Sequence, residues 1–213
     1  MMAGVGELAD DIGVVIVGGG LAGSEAAWQI ARRNIRVSLV EMRPCMMTPA
    51  HTTSDLAELV CSNSLGSDSF RNASGVLKEE LRIFGSLIMR CAEGARIPAG
   101  SALAVERHRF SRLVSSYIRR SPNICVLREE VASIPLHRPC IIASGPLTSE
   151  RLARSIAELT GEDSLYFYDA VAPLVDFESS ISTLVVGLAG FVQGVIQCFT
   201  YQMQKEEKAG SSD

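Results

Sequence analysis

The sequence predicts an α/β fold: a Rossmann-like domain in which helices pack on a parallel β-sheet. Val14–Val17 is a continuous run of branched apolar residues, which is typical of a strand buried on both faces. A glycine-rich turn breaks this run, and apolar residues then recur at helical spacing as far as Ile30. A second apolar strand, residues 36–41, ends in Glu41. Strand, helix and strand within about thirty residues form the βαβ unit of a parallel sheet.

The composition is that of a folded protein and limits its class. Of 213 residues, 47% are hydrophobic and 21% are charged, which excludes a disordered chain. The net charge of −4 excludes a globally basic nucleic-acid-binding protein, although a local basic face stays open. The six cysteines form no Cys-x-x-Cys pair and the three histidines lack metal-ligand spacing, so we expect no metal site. The first residues carry acids and no basic stretch, so we expect no secretory signal and a cytoplasmic protein with reduced thiols.

Further elements follow from local periodicity and turn residues. Residues 42–76 are predicted as a loop-rich insertion, since they contain prolines and a polar, serine-rich stretch. Apolar residues at helical spacing predict a helix over Leu77–Arg90 that is interrupted or bent near Gly85 and Ser86. The remaining predicted elements are a helix over Phe110–Arg119, strands over Ile124–Leu127, Val131–Ile134 and Cys140–Ala143, and a helix over Glu150–Leu159 capped by Thr148 or Ser149.

Three segments divide the chain. Residues 1–12 are predicted as a leader, 13–176 as the Rossmann-like domain and 177–213 as a divergent apolar tail. Within the tail, Ser182–Met203 carries no charge and is long enough to span a bilayer. Its glutamines and threonines, and the lack of a basic flank, argue against a membrane span. We expect instead a buried hydrophobic hairpin or a tail read out of frame.

Three glycines stand between the first strand and the first helix, at the spacing that dinucleotide-binding proteins use. In that pattern Gly18 allows a tight turn, Gly20 lets the backbone approach a pyrophosphate and Gly23 allows close packing of helix on strand. The helix start offers N–H groups and the positive end of its dipole to phosphates. The other candidate cofactor-binding residues of this loop are Gly19, Leu21 and Ala22. The alternative is a purely structural glycine turn.

Glu41 ends the second strand, eighteen residues after Gly23, where it can accept a hydrogen bond from a ribose hydroxyl and would repel an NADP 2′-phosphate. FAD is favoured over NAD by the late strand Ile141–Ala143 and the Gly145 that follows it, because small residues let a large cofactor approach the backbone. In flavoproteins that bind two dinucleotides, the segment before such a strand contacts the adenine through its backbone, and we expect Val131 to have this role here. The alternative for the late strand is an ordinary core strand.

Seven segments carry a family resemblance that runs almost continuously from residue 14 to 176. They are GGGLAGSEAAWQIA (18–31), VEMRP (40–44), TPAHTTSDLAELVCSNSL (48–65), NASGVLKEEL (72–81), IPAGSALAVERHRFS (97–111), ASGPLTSE (143–150) and LTGEDSLYFYDAVAPLV (159–175). Together they resemble the TrmFO family of tRNA uracil-5-methyltransferases, whereas the related flavoprotein GidA shares the glycines but not the MRP, TPAH and LVCSNS segments. The resemblance implies methylation of uracil C5 in the T loop of tRNA (position 54). It also implies methylenetetrahydrofolate as carbon donor, reduced FAD as relay of the one-carbon unit and NAD(P)H as reductant.

The resemblance implies a catalytic role for Cys61, because the family places the cysteine of its LVCSNS segment near the flavin. A thiolate that adds to C6 of uracil makes C5 nucleophilic, which suits this reaction. From the residues alone, a lone cysteine beside apolar neighbours is more often buried and inert, whereas Ser62 to Ser64 supply the polar surroundings that an active thiol needs. His51, in the TPAH segment, is a candidate either for catalysis or for ordering its loop.

Two further features leave alternatives open. Residues 96–138 contain eight arginines and three acids, and this excess either binds tRNA phosphates or is a solvated helix face. The resemblance ends after Val175, before the region of the family's second cysteine, and Cys198 is only a faint counterpart. The resemblance also implies that the region after Val175 completes the parallel sheet, so we expect a sheet left incomplete at one edge. Three interpretations follow: a shortened but active methyltransferase, a non-catalytic FAD-binding fragment, or a GidA-like tRNA-modifying flavoprotein. The VEMRP and TPAH segments argue against the third.

Overall fold

The computed structural model describes residues 12–161. Five α-helices and seven strands follow one another along this part of the chain. In order they are β1 (Val14–Val17), α1 (Leu21–Ala31), β2 (Val37–Glu41), β3 (Ser64–Ser67), α2 (Ala73–Ile83), α3 (Leu87–Gly94), β4 (Arg96–Ile97), β5 (Ala102–Val105), α4 (Arg107–Arg120), β6 (Ile124–Arg128), β7 (Cys140–Ile142) and α5 (Glu150–Thr160).

The main sheet is parallel, with the strand order β6-β2-β1-β7. Its central strands β1 and β2 pair from Val14 opposite Val37 to Val17 opposite Val40. The carboxyl ends of all four strands meet at one edge of the sheet, which is where ligands bind in open α/β folds. The predicted α/β architecture with a parallel sheet is confirmed.

Helices cover both faces of the main sheet. On one face, α1, α3 and α4 pack on Ile16 and Leu39, and α4 contributes Phe110 to this core. On the other face, Val15 and Val17 pack with Leu152 of α5 and with the loop after β6. Burial on both faces explains why β1 is a continuous apolar run rather than an alternating one. The strand β2 is buried at all five positions as well, although it includes Ser38 and Glu41.

A second, smaller sheet begins in the region predicted as a loop-rich insertion and extends beyond it, since β3 lies inside residues 42–76 and β4 and β5, which were not predicted, lie after it. Strands β3, β5 and β4 form it in that order, with antiparallel pairing. The prediction of loop over residues 42–76 was therefore wrong in part, since it missed β3 and the first turn of α2. The sequence of β3, Ser-Leu-Gly-Ser, has neither alternation nor strand propensity. It is a strand because β5 supplies the pairing.

The predicted strand over Val131–Ile134 was also wrong. This segment is coil, and the N–H of Ile134 donates to Ser155 Oγ of α5 at 3.1 Å rather than to a neighbouring strand. Val131 is nonetheless 6% exposed, because it packs against Leu152 and the strands of the main sheet. The apolar residues of the segment thus indicate burial and not a strand.

The predicted interruption of the helix over Leu77–Arg90 is confirmed. The helix α2 ends before Gly85, which has φ of +72°, and α3 begins after Ser86. Ser86 Oγ accepts from the N–H of Met89 as an N-cap. Glu25 of α1 accepts from Ser86 Oγ at 2.9 Å and from the N–H of Ile88 at 3.0 Å, which joins α1 to the start of α3.

The predicted tail lies outside the described residues, as does the leader up to residue 11. The uncharged segment Ser182–Met203 therefore stays a sequence-based prediction. Within residues 12–161, no helix has both the length and the apolar character needed to cross a membrane.

Candidate functional site

A cleft of about 300 Å³ opens at the carboxyl edge of the main sheet. Its volume is at the lower end of the range of about 300–1,000 Å³ found for small-molecule sites. The ends of β1 and β2 and the segments that follow β6 and β7 contribute to its walls. Eight of the nine predicted cofactor-binding residues line it: Gly18, Gly19, Gly20, Leu21, Ala22, Glu41, Val131 and Gly145.

The glycines of the loop are required for different reasons. Gly18 has φ of +103°, and a Cβ there would lie 2.6 Å from the carbonyl oxygen of Ala143. Gly23, the ninth predicted residue, lies beneath the loop, where a Cβ would collide with the carbonyl oxygen of Gly18. Gly20 differs, because a Cβ there would meet nothing within 4 Å and would project into open space. Gly18 and Gly23 are thus needed by the fold, whereas Gly20 leaves room for a ligand.

The N-terminus of α1 faces this cleft. The helix begins at Leu21, with Gly20 as N-cap, and it has neither a side-chain cap nor an acidic residue in its first turn. The first N–H groups of an α-helix lack partners within the helix, and the helix dipole adds partial positive charge there. This arrangement favours an anionic ligand group at Gly20 and Leu21.

Both carboxylate oxygens of Glu41 accept hydrogen bonds from the protein. Its Oε2 accepts from the N–H of Gly19 at 2.8 Å, and its Oε1 accepts from the N–H and the Nε of Arg43 at 3.0 and 2.9 Å. A carboxylate has about four acceptor positions, so Oε2 can accept one more donor. Burial alone would raise the pKa of the Glu41 carboxyl, but the hydrogen bonds and charge of Arg43 and the Gly19 N–H hold that pKa below its ordinary value.

Arg43 is the largest fully buried side chain of the described residues, and although it lies in the VEMRP segment it was not among the residues predicted for the site. Its guanidinium bridges two acids: Nε donates to Glu41, and Nη1 donates to Glu58 Oε2 at 2.9 Å. The same Nη1 donates to the carbonyl oxygen of Thr53 at 3.1 Å. An arginine two residues after the acid of a dinucleotide-binding strand was the available signal, since a buried arginine requires acidic partners.

Glu58 fixes the loop that carries His51. The backbone N–H and hydroxyl groups of Thr52 and Thr53 all donate to the Glu58 carboxylate at 2.9 to 3.1 Å. His51 lines the cleft, and its Nδ1 lies 2.6 Å from Thr48 Oγ1. Burial and then the charge of Arg43 lower the pKa of His51, against the charges of Glu58 and Glu41, so the imidazole is neutral near pH 7. These contacts agree with the loop-ordering role considered for His51.

Two acids after β6 place acceptor atoms without partners at the cleft. Glu129 and Glu130 both line it, and the Oε1 atom of each is buried with no hydrogen-bond partner in the described structure. Glu130 keeps its other oxygen 3.2 Å from Arg151. Buried acceptors in folded proteins are normally paired, so these two suit a ligand that brings N–H or O–H groups. With Gly20 and the start of α1, the lining fits a molecule carrying a pyrophosphate, a ribose and an amino-substituted base.

Cys61 lies next to the cleft but does not line it. Its neighbour Val60 is part of the wall, whereas Cys61 is a half-buried free thiol. The carbonyl oxygen of Cys61 accepts from Arg107 Nη2 at 3.2 Å, which ties the segment to the start of α4. By contrast, burial raises the pKa of Cys91 to about 12, so that thiol is inert near neutral pH.

Some arginines of residues 96–138 contact other parts of the fold, whereas others lie on the exposed side of α4. Arg96 pairs with Asp68 at 2.9 Å, Arg128 donates to the carbonyl oxygen of Arg43, and Arg138 donates to that of Ile12. The exposed arginines of α4 share one side of the helix at 3.6-residue periodicity. They are Arg109, Arg112, Arg119 and Arg120.

No group of three or more histidine, cysteine, aspartate or glutamate side chains that could hold a metal ion occurs within residues 12–161. The described cysteines form no disulfide: all five, from Cys45 to Cys140, are free thiols.

Comparison with known proteins identifies the family. The family model described as glucose inhibited division protein A matches residues 13–208. The chain is 52% identical over 194 residues to the methylenetetrahydrofolate–tRNA-(uracil-5-)-methyltransferase TrmFO of Moorella thermoacetica, covering 91% of this chain and 44% of that protein. It is 57% identical over 166 residues to the TrmFO of Anoxybacillus flavithermus, covering 78% of this chain and 38% of that protein. The chain thus spans less than half the length of these relatives.

Among solved structures, the GidA-related protein from Thermus thermophilus matches with a TM-score of 0.37 and 16% identity, over 64% of this chain and 54% of that one. A TM-score of 0.37 is too low to establish a common fold, and the α/β fold is assigned from the parallel sheet and its helices. The family rests on the sequence matches and on the VEMRP and TPAH segments, whose Glu41, Arg43 and His51 meet at the cleft. The chain belongs to the glucose inhibited division protein A family and, within it, to the TrmFO proteins.

Proposed function

We propose that this chain binds FAD in the cleft and provides the flavin-binding part of a folate-dependent enzyme that methylates uracil C5 in the T loop of tRNA. The observation that carries the proposal is that the uncapped N-terminus of α1 and the Glu41 carboxylate share one cleft. They provide the two polar contacts that a dinucleotide needs, one for its pyrophosphate and one for its ribose. The names of the relatives support the reaction, with tRNA and methylenetetrahydrofolate as substrates.

Each part of the lining has a role in this proposal. The loop from Gly18 to Ala22 binds the pyrophosphate, and the free acceptor position on Glu41 Oε2 receives a ribose hydroxyl. The segment at Val131 contacts the adenine, and Gly145 allows the rest of the dinucleotide to pass close to the backbone. Bound FAD, reduced by NAD(P)H, would supply the redox chemistry for a one-carbon unit from methylenetetrahydrofolate.

Cys61 is the nucleophile in this proposal. Its thiolate adds to C6 of the uracil, which makes C5 nucleophilic. Once C5 has gained its carbon, loss of the proton on C5 re-forms the C5–C6 double bond and expels the thiolate. The bond from Arg107 to the Cys61 carbonyl holds the backbone of this segment in place without engaging the sulfur. A free, half-buried thiol beside the wall of the cleft is compatible with this role.

The exposed arginines of α4 are the proposed contact for tRNA phosphates. Four guanidinium groups on one side of a helix can follow a phosphate backbone, and such binding weakens as salt rises. Because these contacts carry no base information, they would position the tRNA rather than select the uridine. Modification of tRNA in this way would take place in the cytoplasm.

A second candidate function is FAD binding without catalysis by this chain alone. It is favoured by the coverage of 44% of the Moorella relative and by the position of Cys61 outside the cleft lining. Both candidates require a bound flavin and differ only in turnover. The test is transfer of labelled methylene carbon from folate to a T-loop tRNA by the FAD-loaded chain with NADH or NADPH, and with Cys61→Ala as control. Cys61-dependent label in the methyl group on C5 of uracil would show that the chain turns over by itself. Flavin binding without label is the result that we expect, and it supports the second candidate for the chain alone, with the first proposal then tested in the longer protein.

A further inference from the structure

The phosphate-binding loop is held by a closed ring of contacts that passes through Arg43. The N–H of Gly19 donates to Glu41 at 2.8 Å, and the carbonyl oxygen of Gly19 accepts from the N–H of Ala57, also at 2.8 Å. Glu41 and Glu58 are in turn bridged by the Arg43 guanidinium. Gly19 thus connects back to the same arginine on both its N–H side and its carbonyl side.

The ring is buried and tightly packed. The side chains of Arg43, Glu41 and Glu58 are 2%, 7% and 11% exposed, so their ion pairs are shielded from salt and water. Beside them, Leu56 is fully buried, and its Cδ2 would lie 2.5 Å from a Cβ on Gly19. Burying three charged groups costs desolvation free energy, so such a triad stabilises the fold little, if at all, compared with well-packed apolar side chains. We therefore expect the triad to fix the position of the groups that it contacts rather than to add stability.

We propose that Arg43 is a positioning residue of the dinucleotide site. It orients Glu41 toward the ribose, and through Glu58 it locks the loop of residues 51–58 against Gly19. The nucleotide-binding loop, His51 and the segment leading to Cys61 thereby form one unit. This inference rests on the proposed function for the identity of the ligand, while the ring of contacts is independent of it.

Arginine suits this role in a way that lysine does not. The two carboxylates are approached by different nitrogens of one planar group, Nε for Glu41 and Nη1 for Glu58. An ammonium group has a single nitrogen and no fixed fork, so it cannot orient both acids. Arg43→Lys therefore keeps the charge and loses the geometry, and Arg43→Met loses both.

The first experiment needs no ligand. In the full chain, amide hydrogen exchange of Gly19 and Ala57 is measured for Arg43→Met and for Arg82→Met as a matched control. Arg82 also bridges acids, Asp68 and Glu93, but it does not line the cleft. We expect faster exchange of the Gly19 and Ala57 amides in the Arg43 variant only. Equal exchange in the two variants would overturn the proposal.

The second experiment asks whether positioning acts on the ribose contact. FAD affinity is measured by quenching of flavin fluorescence, beside an FAD analogue whose adenosine ribose lacks both hydroxyls. For wild type we expect the analogue to bind about 10- to 100-fold more weakly, as when a hydrogen bond to a charged group is removed. Arg43→Met and Arg43→Lys should show a similar loss for FAD and little further loss for the analogue. Wild-type affinity in Arg43→Lys, or equal losses for FAD and analogue in Arg43→Met, would contradict the proposal.

Two outcomes need separate treatment. If Arg43→Met does not fold, Glu58→Gln replaces it, because it weakens the ring from the side away from the ribose. Its loss of FAD affinity should likewise vanish with the analogue, and a loss that persists would overturn the proposal. If the wild-type chain binds no FAD, the proposed function fails, while the exchange of the Gly19 and Ala57 amides still decides the role of Arg43.

Discussion

The carboxylate of Glu41 accepts a hydrogen bond from the N–H of Gly19 at 2.8 Å, across 22 residues of sequence. This hydrogen bond joins the end of β2 to the loop after β1. It means that the acid expected at the ribose is also part of the framework of the phosphate-binding loop. Substitutions at Glu41 are therefore expected to change stability as well as ligand binding.

Glu41→Gln is expected to destabilise the ligand-free protein. An amide has one acceptor oxygen, so it cannot serve both Gly19 and Arg43, and the buried guanidinium loses one of its two charged partners. Removing one member of a buried ion pair costs about 3–5 kcal/mol, which chemical denaturation can measure. The control is Glu80→Gln on the exposed side of α2, expected to cost under about 0.5 kcal/mol. Equal midpoints for the two variants would contradict this expectation.

The three glycines of the loop should separate in their effects on stability. Gly23→Ala forces a Cβ onto the carbonyl of Gly18, and Gly18→Ala adds a collision with Ala143 to an unfavourable φ. Each should lower the free energy of unfolding by about 1–3 kcal/mol. Gly20→Leu should leave it within about 0.5 kcal/mol, because that side chain projects into open space. A stability loss at Gly20 like that at Gly23 would show that the open space is needed by the fold.

Stability should fall on acidification in two stages. His51 has a folded-state pKa below its ordinary value of 6.5, so the unfolded chain binds the proton first and the free energy of unfolding decreases below about pH 6.5. Glu41 and Glu58 have pKa values below 4.5, so the stability that they contribute is complete above pH 4.5 and is lost as pH falls through their folded-state values. Urea unfolding between about pH 8 and pH 3 measures both stages. His51→Asn should remove only the first, and a rise in stability from neutral pH to about pH 5 would contradict this assignment.

The exposed side of α4 should contribute to tRNA affinity without selecting the base. Charge reversal at Arg109, Arg112, Arg119 and Arg120 should weaken binding of T-loop and unrelated tRNAs alike. It should also make binding less sensitive to salt, with the slope falling by about 0.7–0.9 for each phosphate that the variant no longer neutralises. Filter binding at several salt concentrations measures this. The same slope in wild type and variant would mean that α4 does not touch the tRNA.

The chain alone is expected to show little or no methylation activity. Flavin, folate and uridine must be assembled within a few ångströms, and a small misplacement can cost about 100-fold in rate. The chain spans 44% of the Moorella enzyme, so residues that contribute to that assembly are expected to lie outside it. The assay with labelled methylenetetrahydrofolate measures turnover against a full-length relative. A rate near that of the relative, abolished by Cys61→Ala, would show that the remainder is dispensable.

Much of the nucleotide-binding region could be predicted from sequence because its requirements are local. The buried strand, the glycines at fixed spacing and the acid that ends β2 each follow from backbone geometry within a few residues. The structure brings eight of the nine predicted residues to one cleft. Even Val131 is there, although its segment is coil, because its burial and not its backbone conformation was the reliable signal.

The remainder depended on contacts distant in sequence. The strand β3 exists only through pairing with β5, about forty residues later. The role of Arg43 depends on Glu58, which lies fifteen residues further along the chain and contacts the guanidinium at a different nitrogen from Glu41. The unpaired acceptors of Glu129 and Glu130 could not be inferred at all, because an unpaired atom is a property of the assembled cleft. Local patterns thus predict elements, and the polar partners that fix a site require the fold.

Flavin binding by the full chain tests the central claim most directly. The ligand-free protein is titrated with FAD and, separately, with FMN, which lacks the adenosine and its ribose, and the bound flavin is measured by fluorescence and absorbance. We expect one FAD per chain, little binding of FMN, and loss of FAD binding in Gly20→Leu at unchanged stability. Absence of FAD binding by the folded wild-type chain, or full FAD binding by Gly20→Leu, would contradict the claim.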